Sequence, residues 1–172
     1  MASPSSSDVF ALLGLPARFD LDPALLERAF HDRTRELHPD RFATAPAAER
    51  VAALSRSRAL NDAYQTLRKP VARAEYLLSR AGITIGDNEQ VDPAFLMEIL
   101  ELREELAGAR AAGELREVER LRAAMARRRD AAIASLPERF ERGALGEIKQ
   151  QLVALRYLDR YLEECDAALD ED

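Results

Sequence analysis

The sequence holds one cysteine, two histidines and no tryptophan in 172 residues, which removes several kinds of chemistry at once. Cys165 alone can form no intramolecular disulfide and no cysteine-rich metal cluster, and its apolar helical position makes it a small core residue. His31 and His38 lie seven positions apart with no third ligand, so neither a metal site nor a nucleophile–base pair takes shape around them. There is no glycine-rich phosphate loop, so the chain is not expected to bind ATP itself, and nothing in it calls for a cofactor. No apolar run approaches the roughly 20 residues of a membrane-spanning helix. Residues 1–7 are small and polar, without the basic start and apolar centre of a secretory signal, and read as a disordered tail on a cytoplasmic protein. Glycine is scarce and strand alternation is absent. With 47% hydrophobic and 33% charged residues, the composition predicts an all-α chain.

What is present is charge, unevenly placed. The net charge of −6 divides into +2 over residues 1–80 and −8 over residues 81–172, which suggests that the halves meet different partners. An acidic half is a poor binder of nucleic acid, whose affinity depends on clustered Lys and Arg against phosphates. All but two of the basic residues are Arg, a bias read as coding composition rather than function.

Periodicity and breakers divide the chain. A short helix over 8–13 ends at Gly14 and Pro16. Asp22-Pro23 reads as an N-cap with proline in the first helical position, opening a helix over about 22–38 that carries Leu26, Phe30 and Leu37. A third helix over 48–67 carries Leu60, Tyr64 and Leu67, and a short fourth follows Pro70 over 71–78. Gly82, Gly86, Asp87 and Asn88 mark a linker over 80–91. Asp92-Pro93 then restarts the pattern, with long helices over about 93–111, 114–136 and 143–168, jointed at Gly113 and Leu136-Pro137. The second of these carries Leu115, Val118, Met125 and Leu136; the third carries the near-heptad seam Leu145, Ile148, Leu152, Leu155 and Leu162. The expected architecture is a helical hairpin with short flanking helices over 8–79, followed by a three-helix bundle over 92–172.

Two constellations stand out. His38-Pro39-Asp40 sits where the second helix must stop, because Pro39 drives His38 out of the α region. An imidazole and a carboxylate two residues apart on a stiffened bend come with no nucleophile, no oxyanion donors and no pocket, so the chain reads as no enzyme. Arg28 and Arg35, seven apart on the helix before the bend, and Arg41 just after it surround the tripeptide with positive charge. Such a stripe is either a solvated face or a docking surface for an acidic partner.

The second constellation is on the helix after Asp92. Phe95, Ile99, Leu102 and Leu106 form one stripe wide enough to bury it. Leu96, Met97 and Leu100 fall on another sector, flanked by Glu101 and Glu104. They are spare apolar surface for a partner, a wider core, or a contact with the first half. Tyr157 lies on the last helix, away from the Leu145–Leu162 seam.

The first half resembles the J-domain of DnaJ-type co-chaperones. The likeness lies in Phe10-Ala11-Leu12-Leu13-Gly14-Leu15, Leu37-His38-Pro39-Asp40-Arg41-Phe42, Leu60-Asn61-Asp62-Ala63-Tyr64-Gln65-Thr66-Leu67, Pro70 and Arg73-Ala74-Glu75-Tyr76. It implies that His38, Pro39 and Asp40, with Arg28, Arg35 and Arg41, stimulate ATP hydrolysis by an HscA/DnaK-type chaperone. The stretch from Phe95 to Leu106, together with Leu77-Leu78 and Leu155-Arg156-Tyr157-Leu158-Asp159, extends the resemblance to the HscB family of iron–sulfur cluster co-chaperones. That resemblance implies contacts to an IscU-type scaffold protein from Leu96, Met97, Leu100, Glu101, Glu104 and Tyr157. The chain departs from the family at Tyr157, where the bacterial form carries Phe, and at Ala107-Gly108, which replace more acidic residues. It lacks the N-terminal cysteine-rich metal site of some eukaryotic members, which favours the bacterial type. The alternative is a general J-domain co-chaperone for unfolded polypeptides.

Overall fold

A computed structural model describes residues 8–170, so the expected disorder of residues 1–7 lies outside the described residues. The chain divides between Ala81 and Gly82 into two compact units, and among the described residues every regular element is helical.

The first unit contains α1 (Val9–Leu13), α2 (Pro23–Glu36), a 3-10 turn (Pro39–Phe42), α3 (Ala47–Arg68) and α4 (Pro70–Arg80). Asp8 and Asp22 cap α1 and α2 by accepting from the Phe10 N–H (3.0 Å) and the Ala24 N–H (2.9 Å). Gly14 ends α1 at φ +67°, with the Arg33 guanidinium 3.3 Å from where a Cβ would stand. The left-handed backbone favours glycine here, whereas the guanidinium, at the end of a flexible side chain, could give way to a Cβ. α2 and α3 close on a core of Phe10, Leu13, Leu21, Leu26, Leu60, Ala63 and Leu67, with Phe30, Leu37 and Tyr64 packed at its edge. Phe30 and Tyr64 stack at 4.2 Å. α4 seals this core from the other side. Buried Arg73 donates to the Phe19 carbonyl (2.7 Å), and Arg80 grips the Asp8 carboxylate at 2.8 and 3.0 Å. The Tyr76 hydroxyl joins that clasp, donating to Asp8 (3.2 Å) and accepting from the Val9 N–H (3.1 Å).

The second unit contains α5 (Pro93–Ala111), α6 (Leu115–Ala134), α7 (Leu136–Glu141) and α8 (Leu145–Asp170). The three long helices of the expected bundle are there, and α7 is an addition. Pro137 does not merely break α6; it occupies the first turn of α7, where its missing N–H costs nothing. Residues 86 and 89, read as linker, are held to α8: Lys149 pairs with Glu89 (2.9 Å) and Arg156 donates to the Gly86 carbonyl (2.9 Å).

Two seam assignments shift. Leu115 is the first residue of α6 and is exposed, while Leu121 is buried with Val118 and Met125. On α8 the buried face runs through Ile148, Leu152 and Leu155 as expected, then turns to Leu158, Tyr161, Cys165 and Ala168, leaving Leu162 half-buried. The face turns where α8 meets α5 as well as α6: Tyr161, fully buried, donates its hydroxyl to the Leu102 carbonyl of α5 (3.1 Å). Cys165 is fully buried, and burial pushes its thiol up to about 11, the condition of an inert core residue.

The arginine excess has a structural use that the compositional reading did not supply. Arg103–Glu164 (2.7 Å), Arg120–Glu105 (2.9 Å), Arg128–Glu98 (2.6 Å) and Arg139–Glu147 (2.8 Å) each join two helices of this unit, as do Arg122–Asp166 and Arg129–Asp159. Exposed pairs of this kind contribute ~0.2–1 kcal/mol each, so their main effect is to fix helix register and rotation.

Candidate partner-binding surfaces

The bend between α2 and α3 is built by a helix that cannot continue. The Leu37 N–H still bonds the Arg33 carbonyl (3.2 Å), and His38 then turns to an extended backbone at ψ 133° ahead of Pro39. His38 does not cap the end of α2. Its side chain points forward and caps the 3-10 turn, Nδ1 accepting from the Asp40 N–H (3.3 Å) with the Asp40 carboxylate 3.4 Å away. Nδ1 accepts that bond only while unprotonated, and pairs with the carboxylate only when protonated. The imidazole and carboxylate lie side by side and exposed, with Leu37 and Phe42 half-buried on either side.

Arg28, Arg35 and Arg41 are all exposed, but they are not equivalent. Arg35 is tied to Asp32 on its own helix, and neighbouring Arg33 to Glu36 (3.1 Å). Among the described residues Arg28 and Arg41 form no ion pair, so their charge is available without breaking anything.

The α5 face matches its wheel. Ile99 and Leu106 are buried and Phe95 and Leu102 half-buried, whereas Leu96 (39% exposed), Met97 (57%) and Leu100 (45%) face solvent. The acids of α5 divide in the same way. Glu98 and Glu105 are bound to Arg128 and Arg120, while Glu101 and Glu104 are exposed and form no ion pair among the described residues. Three apolar side chains flanked by two uncommitted carboxylates therefore make one surface.

The structure also brings Tyr157 of α8 to α5. It is half-buried, with its ring edge-on to Phe95 at 6.0 Å and 89°, and its hydroxyl has no partner among the described residues. Arg128 of α6 lies over the Phe95 ring, 5.3 Å from its centroid. Neither contact was legible beforehand, because 30 and 62 positions separate the residues that meet at Glu98–Arg128 and Phe95–Tyr157 and no local pattern records such pairings. The open clefts beside Phe95 are lined by a mixture of apolar and polar residues, with no histidine or cysteine among them. Among the described residues, no three His, Cys, Asp or Glu gather as metal ligands, and no helix is long and apolar enough to cross a membrane.

Comparison with known proteins covers both halves of the chain. Residues 91–166 match the family model described as the HSCB C-terminal oligomerisation domain. A protein of Aromatoleum aromaticum named co-chaperone protein HscB homolog is 40% identical over 169 residues, which cover 95% of this chain and 94% of that one. The protein of the same name from an Azoarcus species is 36% identical over 99% of this chain and 98% of its own. Among solved structures, chaperone HscB from Vibrio cholerae superposes with a TM-score of 0.80 at 35% identity, covering 95% of this chain and 98% of its own. The human co-chaperone HscB gives a TM-score of 0.84 at 28% identity over 96% of this chain and 83% of its own.

Proposed function

Since the chain belongs to the HscB family, the co-chaperones of iron–sulfur cluster biogenesis, we propose that it couples an HscA/DnaK-type ATPase to an IscU-type scaffold protein. The observation that carries this reading is the presence of two chemically opposite exposed surfaces, one on each unit. The first is the His38-Pro39-Asp40 bend with the exposed cations Arg41 next to it and Arg28 further back along α2, suited to an acidic chaperone surface. The second is the apolar Leu96–Met97–Leu100 face with free Glu101 and Glu104 and the half-buried ring of Tyr157, suited to an apolar surface edged with cations.

Carrying both on one chain raises the effective concentration of scaffold at the chaperone. Hydrolysis is then stimulated when the client is in place. In this reading the protein is an adaptor in the cytoplasm that catalyses no bond chemistry, needs no cofactor, and binds neither nucleic acid nor membrane. A general holder of unfolded polypeptides is not favoured by relatives that carry the HscB name.

The test is the ATPase rate of a purified HscA-type chaperone with this chain, with an IscU-type scaffold, and with both. Stimulation by both together is expected to exceed the sum of the separate effects. A merely additive rate, or equal stimulation when the scaffold is replaced by denatured polypeptide, would refute the coupling.

A further inference from the structure

Arg128 makes two contacts that converge on the α5 face. Its Nη1 and Nη2 donate to the two Glu98 oxygens at 2.6 and 2.9 Å, a planar fork. The same guanidinium covers the Phe95 ring, whose other neighbour is the edge of Tyr157. Glu98 and Phe95 are three residues apart on α5, so one side chain from α6 grips successive turns of the same edge of that helix.

A guanidinium forked to a carboxylate is held in place, and a ring beneath it is restrained in turn. Phe95 needs such a constraint. It lines an open cleft of about 390 Å³ whose lining includes the small side chains of Ala131, Ala132 and Ala154. Without Arg128 over it the ring has room to move in that cleft, and its contact with Tyr157 would move with it.

We infer that Arg128 is a positioning residue for the partner-binding face: through Phe95 it sets the ring of Tyr157, and through Glu98 it sets the rotation of the α5 turns that present Leu96, Met97 and Leu100. This rests on the reading of that face as scaffold-binding. Arg120 supplies a built-in comparison. It ties Glu105 of α5 to α6 at 2.9 Å and is exposed where Arg128 is half-buried, and no aromatic ring lies beneath it among the described residues. Its pair lies near the opposite end of α5.

The experiment titrates the full chain calorimetrically with a purified IscU-type scaffold. Arg128→Ala should weaken binding roughly fivefold to twentyfold, the size of coupling expected between touching side chains. Arg120→Ala should stay within about twofold, with a similar small shift in melting temperature for both. Arg128→Lys keeps the charge but not the planar fork, and should remain weak. In a Tyr157→Ala background, Arg128→Ala should add less than it does alone, because part of its effect passes through that ring. Wild-type affinity in Arg128→Lys, or fully additive losses, would overturn the inference. The ring-proton NMR signals of Phe95 and Tyr157 provide a readout without partner: they should shift in Arg128→Ala and hold in Arg120→Ala. Unchanged ring signals also overturn it. If replacing Leu96, Met97 and Leu100 by Ala abolishes binding while Arg128→Ala does not weaken it, the positioning role alone falls. If that triple variant binds normally, the surface reading falls and takes the inference with it.

Discussion

Consider alanine replacing Leu96, Met97 or Leu100 one at a time, against alanine replacing Ile99 on the same helix. Ile99 is wholly buried, and removing its side chain deletes transfer energy and leaves a cavity, at a cost of ~2–5 kcal/mol. The other three keep between 39% and 57% of their surface in water, so near half of the transfer energy was never gained. No enclosed cavity forms at an open face. The expected cost is then about 1 kcal/mol each, partly offset because Ala is the better helix former. For a unit of this size that is a fall of roughly 4–8 °C in melting temperature at most, against a severalfold larger fall for Ile99→Ala. Binding should rank the other way. Each of the three is expected to lose about tenfold or more in scaffold affinity if it is an interface anchor. Differential scanning calorimetry and isothermal titration of the same preparations give both numbers. A melting penalty equal to that of Ile99→Ala would show that these residues are core, and unchanged affinity in stable variants would place the scaffold elsewhere.

Other outcomes are expected at the bend and in the core. His38→Gln should keep the melting temperature, since an exposed side chain is replaced, yet abolish chaperone ATPase stimulation while scaffold binding persists; retained stimulation in a steady-state assay would count against the bend. Reversing Arg28 or Arg41 to Glu should weaken chaperone docking more than reversing Arg35, which already answers to Asp32, and added salt should shrink these differences; docking insensitive to all three reversals and to salt would show the face to be merely solvated. Cys165 has its proton affinity raised by burial, so the unfolded chain gives up that proton first, and stability should decline as pH rises from about 9 to about 11. Cys165→Ala should flatten that decline in urea titrations; an unaltered slope would show that the thiol is not its source.

The fold was legible wherever its cause was local. Asp22-Pro23 and Asp92-Pro93 announced the starts of α2 and α5, because an N-cap and a first-turn proline act within three residues. The two apolar sectors of α5 were equally readable, since a wheel needs only one helix. α7 was missed because a proline that ends a helix and a proline that begins one leave the same mark around Leu136-Pro137. The face of α8 turned after Leu155 because α5, distant in sequence, arrives there at Tyr161. The forward cap made by His38 depends on backbone angles no residue pattern specifies, and the use of arginine as interhelical ties depends on pairings across 30 positions and more. At the candidate sites, the outward-facing residues were legible, and the contacts that hold them in place were not.

The clasp between Asp8 and Arg80 has a consequence for synthesis. α1 is five residues long, too short to persist as a helix alone, and its cap is also the carboxylate that Arg80 grips. The first helix made is thus completed by one of the last residues of its own unit, 72 positions later. On the ribosome, Phe10 and Leu13 must wait, uncovered, until α3 and then α4 have emerged. Closure of the unit is therefore expected late in its synthesis, and pulse proteolysis of stalled nascent chains should find it digestible at residue 70 and protected once Arg80 is free of the tunnel.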